Sequence, residues 1–174
     1  HTPEALAGWK RVADEVHEAG GLIMPQLWHT GSMRREGTGL APDARTVSPS
    51  GLKYPGKEIG VALTKDDVSD IADAFAKGTV AAREAGFDGV QFHGAHGYLI
   101  DTFFWEGTNV RDDEYGGVLE ERTAFAVEII EKARREVGKD YPLIIRLSQW
   151  KQQDFEHKMA TDPDKLLAFL KPMV

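Results

Sequence analysis

The chain alternates helix-like segments with short apolar runs, and this order restricts the fold more than any other feature of the sequence. Apolar residues at helical spacing predict four helices, and three short runs between them have the length and composition of strands. The helices are expected after Thr2–Pro3, after Thr64, from about Leu119 to Gly138 and after Asp162–Pro163, and the strands at residues 22–28, 89–93 and 142–148. This alternation predicts an α/β fold with parallel strands covered by helices.

Two architectures have this order of elements, a doubly wound open sheet and a (β/α)8 barrel. Three strands are fewer than half of the eight that a closed barrel needs, so the sequence predicts either an open sheet or a partial TIM barrel. In both architectures ligands bind at the carboxyl ends of the strands. Residues 29–63, which are rich in Gly, Pro, Ser and Arg, follow the first predicted strand and are much longer than a usual connection, so we expect them to be functional.

Composition limits the function classes. The 174 residues are expected to form one domain, residues 1–174, with a net charge of -7, which argues against a nucleic-acid partner. Cysteine is absent, which excludes disulfides, thiolate metal sites and cysteine nucleophiles. No apolar run reaches the roughly 20 residues of a membrane span, and the first residues do not resemble a signal peptide. We therefore expect a cytoplasmic protein without a membrane partner.

Two histidines and a tyrosine, His93, His96 and Tyr98, lie within six residues at the end of the second predicted strand. Imidazoles at a strand end can bind a metal, donate hydrogen bonds to an oxygen or transfer protons, or they can simply bond the nearby backbone. A metal would need further ligands, for which His29, Asp101 and Glu106 are candidates, but neither HExxH nor HxH spacing occurs. The nearby phenol favours donation to a substrate oxygen.

Two nitrogen donors beside a separate proton source suit the addition of hydride to a polarised double bond. No side chain can supply hydride, so a redox cofactor is required. Neither a GxGxxG nor a GxxxxGK[ST] phosphate loop is present. Gln26, at the end of the first strand, could instead bond the edge of a heterocycle, and a buried Arg146 could stabilise a reduced ring. A structural ion pair is the alternative for Arg146.

Several segments resemble the Old Yellow Enzyme family of FMN-dependent ene-reductases, which are (β/α)8 barrels. These segments occur in the same order as in members of the family. Together with residues 49–64, which connect two of them, and KQQDF at 151–155, they cover most of the chain. The principal matches are MPQLWHTG at 24–31, GFDGVQFHGAHGYLIDTFF at 86–104, TNVRDDEYGGVLEER at 108–122 and IIRLSQW at 144–150.

The resemblance implies a role for each candidate residue. Gln26 would hydrogen-bond the flavin pyrimidine, and Arg146 would lie against the flavin N1/O2 edge. His93 and His96 would hold the carbonyl or nitro oxygen of a small-molecule substrate. Tyr98 would protonate its α carbon.

The resemblance also implies FMN as the cofactor and NAD(P)H as the reductant, with hydride passing to an activated C=C bond. Trp28, His29 and Trp105 would line the substrate pocket, although either tryptophan could equally be part of the core. The turn that contains Arg111, Asp113 and Tyr115 would be structural.

Family members with these motifs are much longer, which implies that this chain carries the central portion of the barrel without the phosphate site. Strands from a partial barrel would have open edges, so we predict a homo-oligomer or poor stability. Two alternatives to the ene-reductase remain. One is a barrel fragment without a cofactor that is catalytically incompetent and self-associates, and the other is a metal-dependent hydrolase that uses His93 and His96.

Overall fold

A computed structural model describes residues 2–39 and 41–174 as an α/β structure. None of the helices in this part of the chain has the length and apolar character needed to cross a membrane. The α-helices are α1 (Pro3–Glu18), α2 (Lys65–Glu84), α3 (Leu99–Phe104), α4 (Ala124–Val137) and α5 (Pro163–Leu170). The strands are β1 (Gln26–Leu27), β2 (Val47–Ser48), β3 (Leu52–Tyr54), β4 (Lys57–Glu58), β5 (Val61–Ala62), β6 (Val90–His96) and β7 (Leu143–Lys151).

The central sheet consists of β1, β6 and β7, which are parallel and lie in the order β1-β6-β7. Gln26 pairs with Gln91 across β1 and β6, and His93 pairs with Arg146 across β6 and β7. Helix α2 connects β1 to β6 and α4 connects β6 to β7, so each parallel pair is joined by a helical crossover. The predicted alternation of helices and parallel strands is confirmed.

The two faces of this sheet have different surroundings. Side chains of one face pack against α2 and α4; for example, the Phe92 ring lies 6.0 Å from the Phe75 ring, nearly perpendicular to it. The opposite face carries Gln26 and Arg146, both exposed, and the buried His93. Because side chains alternate between faces along a strand, this open face is the one that would line the interior of a barrel.

Local sequence signals set the ends of the helices as predicted. Thr2 caps α1, and its side chain accepts a hydrogen bond from the Ala5 backbone N–H. Thr64 and Asp67 cap α2 reciprocally, each side chain accepting from the backbone N–H of the other. Gly138, with φ of 74°, ends α4 in a conformation that glycine adopts without strain.

The first strand is shorter than the predicted 22–28, because only Gln26–Leu27 form ladder pairs. Pro25 has no N–H to donate, although its carbonyl still accepts from the Gln91 N–H at 3.0 Å. The carbonyl of Ile23 likewise accepts from the Asp88 N–H. The segment therefore runs alongside β6 over its predicted length while forming a regular strand only at its end.

Four other elements differ from the sequence prediction. Strands β6 and β7 each continue three residues beyond the predicted ends at 93 and 148. The third long helix begins at Ala124, after a 3-10 turn at Glu121–Thr123. Helix α3 was not predicted, because all six of its residues are buried and its sequence has no polar face that would give a helical period.

The long connector between β1 and α2 contains two small strand pairs, β2 with β5 and β3 with β4. Arg111 anchors it: one guanidinium nitrogen donates to the Pro49 carbonyl at 2.8 Å and also bonds the Leu63 carbonyl. The Arg111 side chain forms two further bonds to Asp113 at 2.9 and 2.6 Å. These contacts support the structural interpretation of this turn.

Candidate active site

His93, His96 and Tyr98 lie together at the carboxyl end of β6. His93 is in the strand, His96 is its last residue, and Tyr98 precedes the first turn of α3. The ring centroid of His93 is 5.6 Å from that of His96 and 5.2 Å from that of Tyr98. The structure thus places the three side chains singled out in the sequence in mutual contact.

The imidazoles of this cluster lack hydrogen-bond partners within the part of the chain that the structure describes. Both ring nitrogens of His93 and Nδ1 of His96 are buried and unpaired. Buried polar atoms in native proteins are usually bonded, so unpaired atoms require an explanation. The backbone-bonded alternative does not account for the His93 ring, which retains its full capacity to bind a ligand.

Both histidines favour the neutral form. Burial lowers the pKa of His93, and the neighbouring His96 and Arg146 lower it further. Burial and then Arg146 also lower the pKa of His96, partly opposed by Asp101. A neutral imidazole carries one N–H and one acceptor nitrogen, so each ring can donate one hydrogen bond without adding a charge.

The turn that joins the two donors has an unusual backbone. His96 has φ of 64° and Gly97 has φ of 80°. This left-handed region costs free energy for a residue with a side chain such as His96, which stays there only because its surroundings hold it. The His96 N–H donates to Ser148 Oγ at 2.9 Å, and the Gly97 N–H donates to Asp101 Oδ2 at 2.6 Å. These bonds fix the direction of the chain between the imidazole and the phenol.

Trp28 borders the cluster, with its ring centroid 4.9 Å from that of Tyr98 and perpendicular to it. It remains 53% exposed. His29 is turned away, because its Nδ1 accepts from the Gly31 N–H and its carbonyl accepts from the Leu99 N–H. Burial, then the charge of Arg34, lowers the pKa of His29. Trp28 and His29 both line a separate cavity of about 480 Å³ between β1 and α2.

Gln26 and Arg146 lie on the open face of the sheet. The Gln26 amide nitrogen bonds the Gln91 side-chain oxygen, so the two amides form one polar edge. Arg146 is exposed, so the expectation that it is buried was wrong. No carboxylate of the described residues forms a salt bridge with it, so the structural ion pair is not observed.

Trp105, expected in the pocket, is not part of the cluster. Only 2% of its surface is exposed, and its ring packs 5.3 Å from the His157 ring. Two of the additional metal ligands suggested by the sequence form ion pairs elsewhere: Asp101 pairs with Lys151, and Glu106 pairs with Arg122. No group of three metal-ligating side chains occurs in the described residues.

The sequence analysis missed three residues that contact the site. Gln91 lies next to Gln26, and its position two residues before His93 in a strand could have indicated the shared face. Trp150 stacks on His96, with centroids 4.4 Å apart and rings inclined by 26°. Gln152 donates to the Tyr98 hydroxyl at 3.3 Å. The last two contacts depend on the register of β7, which the local sequence does not reveal.

A parallel sheet with helices on one face and a polar cluster at the carboxyl ends of its strands is the arrangement of a (β/α)8-barrel segment. The model of the NADH:flavin oxidoreductase / NADH oxidase family matches residues 1–170. The chain belongs to this family of flavin oxidoreductases. The predicted membership of the Old Yellow Enzyme family and the partial TIM-barrel fold are both confirmed.

Individual relatives agree with this placement. The chain is 39% identical over 168 residues to the putative 12-oxophytodienoate reductase-like protein 1 of Arabidopsis thaliana, covering 94% of this chain and 51% of the relative. It is 38% identical over 178 residues to 12-oxophytodienoate reductase 1 of Oryza sativa subsp. japonica, covering 98% and 45% respectively. The structure of an old yellow enzyme homologue from Zymomonas mobilis matches with a TM-score of 0.82 and 32% identity, covering 99% of this chain and 50% of that one. The chain thus spans about half the length of these proteins.

Proposed function

We propose that this chain carries the substrate-oxygen and flavin-edge portion of an FMN-dependent ene-reductase. Its reaction would use NAD(P)H to reduce the activated C=C bond of an enone or a nitro compound. One observation carries the proposal: the unpaired imidazole nitrogens of His93 and His96 lie beside the Tyr98 phenol, at the top of an open sheet face. The family membership supports the same chemistry.

The residues on this face fit a flavin ring. The amides of Gln26 and Gln91 offer donors and acceptors, as the pyrimidine edge of a flavin requires. Arg146 is exposed, lies beside His93 in the strand register and would stabilise negative charge at the ring edge. When bound, FMN would supply the hydride that no side chain of this chain can provide.

The donor cluster would act on the substrate. His93 and His96, both neutral, would donate N–H bonds to the carbonyl or nitro oxygen and stabilise the negative charge that develops on it. Tyr98 would deliver a proton to the α carbon. Gln152 donates to the Tyr98 oxygen, which leaves the phenolic hydrogen free to point at the substrate.

The pocket wall is a further part of the proposal. Trp28 lies against both His93 and Tyr98, and it is exposed enough to move when a ligand enters. His29 would act indirectly, because its hydrogen bond to Gly31 and its carbonyl bond to Leu99 hold the start of α3 against the end of β1. Trp105 has no part in the proposed pocket.

Neither alternative is favoured. A metal-dependent hydrolase would need a third ligand near His93 and His96, and the described residues place none there. A fragment that cannot bind a cofactor would not explain why Arg146 and the Gln26–Gln91 pair lie together on the open face of the sheet. The two alternatives predict, respectively, one equivalent of bound zinc and a colourless, metal-free oligomer.

Titration with FMN tests the proposed function. We expect the chain to quench flavin fluorescence on binding, and Arg146→Gln to weaken binding about tenfold, which corresponds to ~1.4 kcal/mol. Arg135→Gln, on the exposed face of α4, is the matched control and should bind FMN like the parent. Failure of the parent to bind FMN would contradict the proposal for this chain.

We also propose that the chain by itself self-associates through the open sheet face. Met24, Trp28 and Ile144 lie on this face and are 37%, 53% and 42% exposed. Large apolar side chains grouped on one face favour association, as do unpaired strand edges. Size-exclusion chromatography with light scattering should give a mass above the 19.3 kDa of one chain, and Ile144→Lys should reduce it. A stable monomer of the parent chain would contradict this expectation.

A further inference from the structure

Asp101 and Lys151 form an ion pair that the proposed chemistry does not use. Lys151 Nζ lies 2.6 Å from Asp101 Oδ1, and both side chains are completely buried. Burial raises the pKa of Asp101 above its ordinary value, and the charge of Lys151, together with its hydrogen bond and that of the Gly97 N–H, offsets this rise only in part. A buried ion pair is often no more stabilising than an apolar pair of similar size, so stability alone does not explain these two residues.

The second oxygen of Asp101 holds the donor turn, which consists of His96, Gly97 and Tyr98. Asp101 Oδ2 accepts the Gly97 N–H at 2.6 Å, and Gly97 is the residue between the imidazole and the phenol. His96 has a left-handed φ of 64°, which a residue with a side chain adopts only at a cost, so this backbone depends on external contacts. The carboxylate therefore connects the strained turn to the buried ammonium group of Lys151.

Lys151 in turn belongs to a four-residue segment, Trp150–Gln153, that contacts every residue of the donor turn. Trp150 stacks on His96, and Gln152 donates to the Tyr98 hydroxyl. Gln153 donates to the Gly97 carbonyl at 2.9 Å. Lys151, paired with His96 in the strand register, is the member of this segment that reaches the turn through Asp101.

We propose that Asp101 and Lys151 are positioning residues that hold the donor turn so that His96 and Tyr98 converge on one ligand oxygen. Asp101 fixes the Gly97 backbone, and Lys151 fixes Asp101 to the end of β7. The consequence for substrate binding rests on the proposed function, whereas the consequence for the orientation of His96 can be measured without a flavin or a substrate.

The double variant Asp101→Leu with Lys151→Met separates positioning from stability. It replaces the ion pair by apolar side chains of similar size, leaves no unpaired buried charge and removes the acceptor for the Gly97 N–H. Three properties are compared with the parent: the midpoint of thermal unfolding, the NMR resonance of His96 Hε1, and the affinity for p-cresol, a phenol whose oxygen resembles an enolate oxygen. His96→Gln identifies the resonance.

We expect the double variant to unfold near the parent temperature while the His96 resonance moves toward that of an exposed histidine, because the imidazole leaves the Trp150 ring. Binding of p-cresol should weaken about tenfold, or ~1.4 kcal/mol. Lys132→Met is the control: Lys132 pairs with Asp73 and Glu128 between α2 and α4. The Lys132→Met variant should unfold at a lower temperature and leave the His96 resonance and the affinity for p-cresol unchanged.

The outcomes distinguish this inference from the proposed function. An unchanged His96 resonance in a folded double variant overturns the positioning role, as does an equal change in Lys132→Met. If the parent does not bind p-cresol, the proposed function is in question, while the resonance still tests the positioning role. Asp101→Asn is the second variant if the double variant does not fold. Its amide offers one oxygen to two donors, so the resonance should shift in the same direction.

Discussion

Under the proposed function, replacement of Tyr98 by phenylalanine is expected to slow the reduction of an enone by about 10²- to 10⁴-fold, the usual contribution of a positioned general acid. The substitution removes the hydroxyl and keeps the ring that packs against Trp28 and His93. The site should therefore keep its shape and lose its proton source. In the proposed cycle, reduction of bound flavin by NAD(P)H would require no proton from this phenol and should be nearly unchanged.

Rapid-mixing measurements of the two half-reactions test this prediction, since each is followed by the flavin absorbance. Tyr54→Phe is a matched control, because Tyr54 lies in β3 of the long connector and is 41% exposed. It should leave both rates unchanged. Equal losses in the two half-reactions of Tyr98→Phe would show that the phenol is not the proton donor and that its removal disturbs the whole site.

Under the same proposed function, replacement of His93 by alanine is expected to reduce the rate of enone reduction by about 10²- to 10³-fold, or ~3 to 4 kcal/mol, as for other single donors to a developing oxyanion. His93 is 8% exposed, and neither of its ring nitrogens has a partner within the described residues. Its removal therefore breaks no hydrogen bond to the protein, and the loss should appear mainly in binding and catalysis.

The affinity for p-cresol provides an independent measure of the same donor. It should fall in His93→Ala and stay constant in His17→Ala, which removes an imidazole from α1 that bonds Asp88. Unchanged affinity in His93→Ala would remove this residue from the proposed role. Because the pKa of His93 is lowered, the imidazole is neutral from mildly acidic pH upward, and the affinity of the parent should vary little above that range.

The parts of the fold that depend on residues close together in the sequence could be predicted from the sequence. The capping pair Thr64 and Asp67 is three residues apart, and its hydrogen bonds form within one helical turn. Gly138 ends its helix for a similarly local reason. Helix α3 could not be predicted, because burial on all sides by other elements removes the amphipathic pattern on which the prediction depends.

The same distinction applies to the candidate site. His93, His96 and Tyr98 are close in sequence, so their proximity followed from the end of one strand. The contacts of Asp101 and Tyr98 with the end of β7 join residues 50 and 54 positions apart, and they exist only because β7 pairs with β6 in one register. The exposure of Arg146 likewise depends on what covers the sheet, which its own sequence context does not specify.

The left-handed backbone at His96 also restricts which residues this position can exchange during evolution. Glycine, asparagine, aspartate and histidine are the residues that adopt such φ values with the least cost. Of these, only asparagine besides histidine brings a neutral side-chain N–H. A lineage that loses the imidazole at position 96 can therefore retain a donor most readily through asparagine, whereas lysine, arginine or glutamine would adopt this φ at a higher cost.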